Sequence, residues 1–177
     1  VARLLFIIKG TALVERYGVM MLAAALKRAG HDVALARAQR FGFERLRDLV
    51  AELEPAALLY SAMTGEHQYL LDVNRRLKES YRGVSAFGGP HATFFPEMIS
   101  EEGVDVVCRG EGEGAVVDLA DALAEGRDYA GVANLWVKRD GDVVRNELRP
   151  LVEDLDALPF ADREILYEGD ADLRDHP

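Results

Sequence analysis

The sequence predicts a doubly wound α/β fold: a five-stranded parallel sheet with helices on both faces, followed by a C-terminal β-hairpin extension. Three observations point there. Short apolar runs alternate with amphipathic helical stretches over residues 1–126, the pattern of βαβ units. Most of those apolar runs are close to continuous, as in strands buried on both faces. Two successive runs end in glycine-rich turns, Gly88-Gly89-Pro90 and Gly110-Glu111-Gly112-Glu113-Gly114. Successive turns of this kind lie side by side at the carboxyl edge of a parallel sheet, where open α/β folds bind their ligands.

The elements follow in order. Arg3–Ile8 is the first strand, followed by a loop over Lys9–Glu15. Val19, Leu22, Ala23 and Leu26 recur at helical spacing, and Gly30 stands where a helix C-terminal glycine belongs. Asp32–Ala36 is strand two. Phe43, Leu46, Val50 and Leu53 mark a helix that must stop before Pro55. Ala56–Tyr60 is strand three and Ser61–Glu66 its loop, with Tyr69, Leu70, Val73 and Leu77 on the next helix. Val84–Phe87 is strand four, with a short helix around Phe95, Met98 and Ile99. Asp105–Cys108 is strand five, and Val116, Leu119, Ala120 and Leu123 form the fifth helix. Beyond Gly126, Asn134–Arg139 and Asp142–Glu147 flank Asp140-Gly141, a strong type I′ hairpin signal. Residues 151–163 read as a linker and 168–177 as an acidic tail. The domain boundaries expected are therefore 1–130 for the α/β unit, 131–150 for the hairpin and 151–177 for linker and tail.

Composition narrows the function. The chain has 177 residues, of which 49% are hydrophobic, and a formal net charge of −10. That charge repels phosphate backbones and anionic membranes, so neither nucleic acid nor a membrane is expected as a partner. No apolar run approaches the ~20 residues of a membrane span. Val1–Ile8 is strand-like and no cleavage pattern follows it, so no signal peptide is expected. The single cysteine, Cys108, allows no internal disulfide, points to the cytoplasm, and cannot supply the thiolates of an iron–sulfur cluster.

Common ligands of doubly wound folds fail on motif. A dinucleotide needs Gly-x-Gly-x-x-Gly after the first strand, which Lys9–Glu15 lacks. The glycines after strand five have the wrong spacing and place two acids where pyrophosphate would sit. There is no Walker lysine motif, no acidic pair at the end of strand one, and no Ser/Thr-rich flavin-phosphate loop.

The residues that remain carry a resemblance. Ser61-Ala62-Met63-Thr64 resembles the Ser-x-Leu element of cobalamin-binding domains, with Met63 for leucine, and Gly88-Gly89 resembles their Gly-Gly element. Phe87-Gly-Gly-Pro-His-Ala-Thr-Phe-Phe-Pro-Glu-Met98, then Val104-Asp-Val-Val-Cys-Arg-Gly-Glu-Gly-Glu113, is similar to the N-terminal cobalamin (B12)-binding domain of cobalamin-dependent radical SAM enzymes. So is Tyr17–His31, and Leu155–Arg163 resembles the segment that leads from that domain into the radical SAM barrel. The resemblance implies a flavodoxin-like (Rossmann-like) domain that presents the corrin, as methyl donor, to a separate barrel holding S-adenosylmethionine and a 4Fe-4S cluster. The chain contains no Cys-x-x-x-Cys-x-x-Cys motif and Lys9–Gly18 contains no cobalt-ligating histidine. It is therefore expected to be a binding module of a larger methyltransferase, non-catalytic alone, with no metal ligand of its own.

Under the resemblance, the cofactor-binding residues are Ser61, Met63, Thr64, Gly88, Gly89, Pro90, His91, Arg109, Gly110, Glu111, Gly112 and Glu113. Each also has a plainer role. Ser61 either hydrogen-bonds the nucleotide tail or caps a helix. Met63 and Thr64 either offer backbone amides or form an ordinary loop. Gly88 and Gly89 give a floor without side chains, or a tight turn. His91 touches a corrin amide, caps a helix or faces solvent. Glu111 and Glu113 accept from corrin amides or stabilise the helix dipole, worth ~0.3–1 kcal/mol. Cys108 is expected to pack as a small strand residue, His31 to lie at the surface, and His67 to sit on the ligand edge. The alternative is the same fold as a protein-interaction module or a small-nucleotide binder without cobalamin.

Overall fold

Strand and amphipathic helix alternate as the sequence leads one to expect. The computed structural model describes residues 1–10 and 16–167, so most of the loop over Lys9–Glu15 and the tail 168–177 lie outside the described residues. In chain order come β1 (Arg3–Ile8), α1 (Tyr17–Arg28), β2 (Asp32–Arg37), α2 (Ala38–Phe41), α3 (Phe43–Leu53), β3 (Ala57–Ser61), α4 (His67–Lys78), β4 (Val84–Gly88), α5 (Pro90–Phe94), β5 (Val106–Cys108) and α6 (Glu113–Glu125). They are followed by β6 (Leu135–Arg139), β7 (Asp142–Arg145) and α7 (Glu164–Tyr167). The helix expected around Phe95 begins earlier, at Pro90, whose fixed φ suits a first helical turn. It breaks at Phe95 because Pro96 drives the preceding residue out of the helical region, to φ −129° and ψ 61°. Residues Pro96–Ser100 then make a 3₁₀ turn.

One sheet runs in the order β2-β1-β3-β4-β5-β6-β7. Strands β1 to β5 pair in parallel, and β6 and β7 continue the sheet antiparallel. The hairpin is thus part of the same sheet rather than an appendage. Leu135 opposite Cys108 and Val137 opposite Val106 bury their side chains against the domain core. Its turn is the one the sequence signals, with φ of 52° at Asp140 and 89° at Gly141.

Because side chains alternate along a strand, each strand feeds two cores. Phe6, Leu59, Ala86 and Val106 face α1, α6 and α7. Ile7, Leu58, Tyr60, Phe87 and Val107 face α3, α4 and α5. The order of β1 and β3 around the sheet makes a topological switch point between them, at the carboxyl edge.

Residues 151–163 are irregular apart from a 3₁₀ turn at Leu155–Ala157, and they are fastened across α1. The Asp162 amide donates to Met20 O at 3.1 Å, Lys27 pairs with Asp162 at 2.7 Å, and Arg28 Nη1 donates to Ala157 O at 2.7 Å. Ile165 and Leu166 of α7 then enter the core beside α1 and β2. His31, expected at the surface, is buried: its Nδ1 accepts from the Ala2 amide and its Nε2 lies 3.2 Å from Asp121. The Ala2 amide on Nδ1 and the Asp121 carboxylate near Nε2 hold the ring in place, which Gly30 before it does not signal. Among the described residues no helix is long and apolar enough to cross a membrane.

Candidate functional site

The carboxyl ends of β1, β3, β4 and β5 open onto a cavity of about 570 Å³ between the sheet and helices α1 and α6. Strand alternation decides its lining. Ser61 lies on the same face as Leu59, Gly88 on that of Ala86, and Cys108 on that of Val106. The wall is Phe6, Leu59, Ala86 and Leu135 from the sheet, and Leu22, Val116 and Leu119 from the two helices. It is overwhelmingly apolar, and its size is that of a small-molecule site.

Of the residues expected to bind, Ser61, Met63, Gly88, Gly89, Pro90, Gly110, Glu111, Gly112 and Glu113 line this cavity. The glycines shape it differently. At Gly112 a Cβ would fall 3.1 Å from Leu22 Cδ2 and 3.7 Å from Cys108 Sγ, both in the wall. Gly89 has φ +89°, and a Cβ there would meet Ala62 O and N at 3.0 and 3.1 Å and Ser61 Oγ at 3.2 Å. Its conformation sets the close approach of two loops, more than it clears the cavity. That approach is fastened by the Ala62 amide donating to Gly88 O and the His91 amide donating to Ala62 O. Thr93 ties the two glycine turns together: its hydroxyl donates to Gly89 O and accepts from the Gly110 amide, both at 3.1 Å.

Thr64, His91 and Arg109 do not line the cavity. His91 is buried, its ring stacked on His67 with centroids 3.7 Å apart and on Phe95 at 4.9 Å, its Nδ1 3.1 Å from Thr64 Oγ1. Burial lowers its pKa, and the neighbouring His67 imidazole lowers it further. The cluster braces the Ser61–Glu66 loop against α5. Arg109 follows Cys108, so its side chain emerges on the opposite face, where its guanidinium lies 5.1 Å from the Trp136 ring. Glu111 lines the cavity, but its carboxylate already accepts from the Val152 amide at 2.8 Å. Glu113 opens α6 and, after burial itself, is the cause that pushes the Cys108 thiol up to about 12. Cys108 is therefore a protonated wall residue.

Sequence reasoning missed the mouth on the α1 side. Arg16, Tyr17, Gly18 and Glu66 all line it, and Arg16 Nη2 reaches both Glu66 oxygens at 2.7 and 2.8 Å. It also missed Asn134, whose amide donates to Glu111 O at 2.6 Å and whose Oδ1 accepts from the Arg149 amide at 2.6 Å, holding the second glycine turn.

Comparison with known proteins bears on the family and the fold. A family model described as B12 binding domain matches residues 5–120. An uncharacterised methyltransferase of Pyrococcus horikoshii is 31% identical over 148 residues, covering 81% of this chain and 32% of the relative. An anaerobic magnesium-protoporphyrin IX monomethyl ester cyclase of Synechocystis is 29% identical over 147 residues, covering 78% of this chain and 29% of the relative. The chain thus spans about a third of the length of these relatives. Two solved structures share the fold. The radical S-adenosylmethionine methyltransferase TsrM of Kitasatospora setae, with cobalamin and a [4Fe-4S] cluster bound, superposes with a TM-score of 0.72 at 22% identity, over 89% of this chain and 31% of that one. The cobalamin-dependent S-adenosylmethionine radical enzyme OxsB, with aqua-cobalamin and S-adenosylmethionine bound, superposes with a TM-score of 0.77 at 15% identity, over 94% and 25%.

Proposed function

The chain belongs to the B12 binding domain family, and from that premise we propose that it holds cobalamin at the carboxyl edge of the sheet and serves as the cobalamin module of a radical SAM methyltransferase. The observation that carries this reading is the cavity itself. Its apolar walls suit a flat, apolar base such as the dimethylbenzimidazole of the ligand's nucleotide tail. The absent Cβ of Gly112 leaves the space between Leu22 and Cys108 that a side chain there would fill. Ser61, at the end of β3, supplies a hydroxyl for a ring nitrogen at the rim of an otherwise apolar wall. Met63, Gly88, Pro90 and the Gly110–Glu113 turn form the rim on which the amide-studded corrin would rest. Thr64, His91 and Arg109 have supporting roles behind that rim.

When bound, cobalamin supplies a cobalt centre able to carry and hand over a methyl group. This chain's residues bind and orient it: the apolar wall excludes water from the tail, and Thr93 keeps the two glycine turns in register. The relatives are about two and a half times this chain's length. The remainder, in this reading, is a barrel holding S-adenosylmethionine and a 4Fe-4S cluster, approached by way of the segment 151–167 docked on α1.

The test is direct. The purified chain, given hydroxocobalamin, is expected to retain about one cobalamin per chain through gel filtration, one pocket per domain, read from its visible absorption. A protein that stays colourless after this treatment would favour an interaction module or a nucleotide binder on the same fold.

A further inference from the structure

The cavity is apolar inside but charged at its mouth. Among the described residues that line it Arg16 is the only cation, whereas Glu66, Glu111 and Glu113 are acids. Glu111 is engaged by the Val152 amide and Glu113 stands in the first turn of α6. Among the described residues the Arg16 guanidinium is engaged within the mouth itself. Its guanidinium, in a side chain 9% exposed, grips the Glu66 carboxylate through one nitrogen at 2.7 and 2.8 Å. The pair joins the start of α1 to the β3–α4 loop, across the two sides of the opening.

A cobalamin tail drawn into this cavity carries one permanent anion, the phosphodiester between the base's ribose and the corrin side chain. With the base inside and the corrin outside, that anion must pass or stay at the mouth. There it meets three carboxylates and one guanidinium. An unpaired phosphate at a partly desolvated site is strongly disfavoured, and arginine's planar fork matches phosphate geometry. Resting on the cobalamin reading above, we propose that Arg16 is the residue that takes the phosphodiester, and that Glu66 is an internal anion which holds the guanidinium until the ligand displaces it. Glu66 has somewhere to go: it stands at the cap position of α4, where the helix N-terminus favours a carboxylate, beside the exposed Met63, Thr64 and Gly65.

The experiment compares two ligands that share a corrin. Hydroxocobalamin has the phosphodiester and base; diaquocobinamide lacks both. Each is titrated by visible absorption into the full chain, wild type and as Arg16→Gln, Glu66→Gln and the double variant. Charge-assisted hydrogen bonds of this class correspond to about tenfold to hundredfold in affinity. Arg16→Gln is expected to weaken hydroxocobalamin by that factor and leave cobinamide within about twofold, while Glu66→Gln tightens hydroxocobalamin several-fold. The double variant, which leaves no charge unpaired and is checked by circular dichroism, is expected to keep the Arg16→Gln loss. A hydroxocobalamin affinity that returns to the wild-type value in the double variant overturns the proposal. So does an equal loss for both ligands, which would make Arg16 a brace of the mouth. A wild-type chain that binds neither ligand removes the cobalamin reading and this proposal with it, whereas wild-type retention with indifferent variants removes only the role of Arg16.

Discussion

Ala86→Leu separates a ligand cavity from slack in the core, because the two give opposite signs. Ala86 sits in the middle of β4, 7% exposed, with its side chain on the cavity wall. Leucine adds three carbons on that face. A cavity of about 570 Å³ has room for them. At ~0.8 kcal/mol per buried carbon group, less ~0.5–1 kcal/mol of leucine side-chain entropy, the unliganded chain should gain about 1–2 kcal/mol. For a chain of this size ~2–4 °C accompanies each kcal/mol, so Tm should rise by about 2–8 °C. The same carbons occupy the volume a bound base needs. Overpacking there should cost ~1–3 kcal/mol of binding, a loss of about 5-fold to 150-fold in cobalamin affinity. Differential scanning fluorimetry without ligand and absorption titration with hydroxocobalamin read the two effects. A variant that gains stability and binds cobalamin at wild-type affinity would refute the placement of the tail in this cavity.

Gly89→Val should act through the backbone: at φ +89° with Ala62 backbone atoms 3.0–3.1 Å from the new Cβ, it should lose about 1–3 kcal/mol of stability and weaken binding, measured by urea denaturation and titration. His91, held below its ordinary pKa by burial and by His67, takes up its proton more readily unfolded than folded. Its contribution is therefore lost as pH falls below ~6.5, and the Tm drop between pH 7.5 and 5 should be smaller in His91→Phe. Ile165→Ala should cost about 2–5 kcal/mol if residues 151–167 are an integral part of the core, lowering Tm by at least about 4 °C; a negligible shift would mean that α7 is a loosely held strap.

The sheet was legible because burial on both faces leaves an unambiguous trace. Leu4–Ile8, Ala57–Tyr60 and Val106–Val107 are apolar without interruption, and the glycine-rich turns mark where two of the strands end. The Asp140-Gly141 turn was legible for an equally local reason, since both residues must take positive φ. That the hairpin would join β5 was not, because strand partners are chosen by tertiary packing of Leu135 and Val137 and leave no local mark. The docked segment 151–167 escaped for the same reason: its holds are single polar contacts to α1 and two apolar residues, Ile165 and Leu166, in a four-residue helix too short to show a period.

The site divides along a different line. Its turns announce themselves through glycine, but its walls do not. Phe6, Leu22, Leu59 and Leu119 are apolar residues at regular strand or helix positions, and nothing in the pattern distinguishes a side chain that faces a cavity from one that faces another side chain. The side of the sheet that Arg109 takes was readable from the strand pattern. Alternation along β5 puts Val106 and Cys108 on the cavity face and Val107 on the other, so the next residue but one after Val107 must point away from the ligand edge, toward Trp136. Arg16 and Glu66 were hidden by distance, fifty residues apart and each unremarkable at the start of its own helix. Only the β1–β3 switch point brings those two helix starts together. The same topology that creates the cavity therefore also brings the two partners of the charge pair together at its mouth.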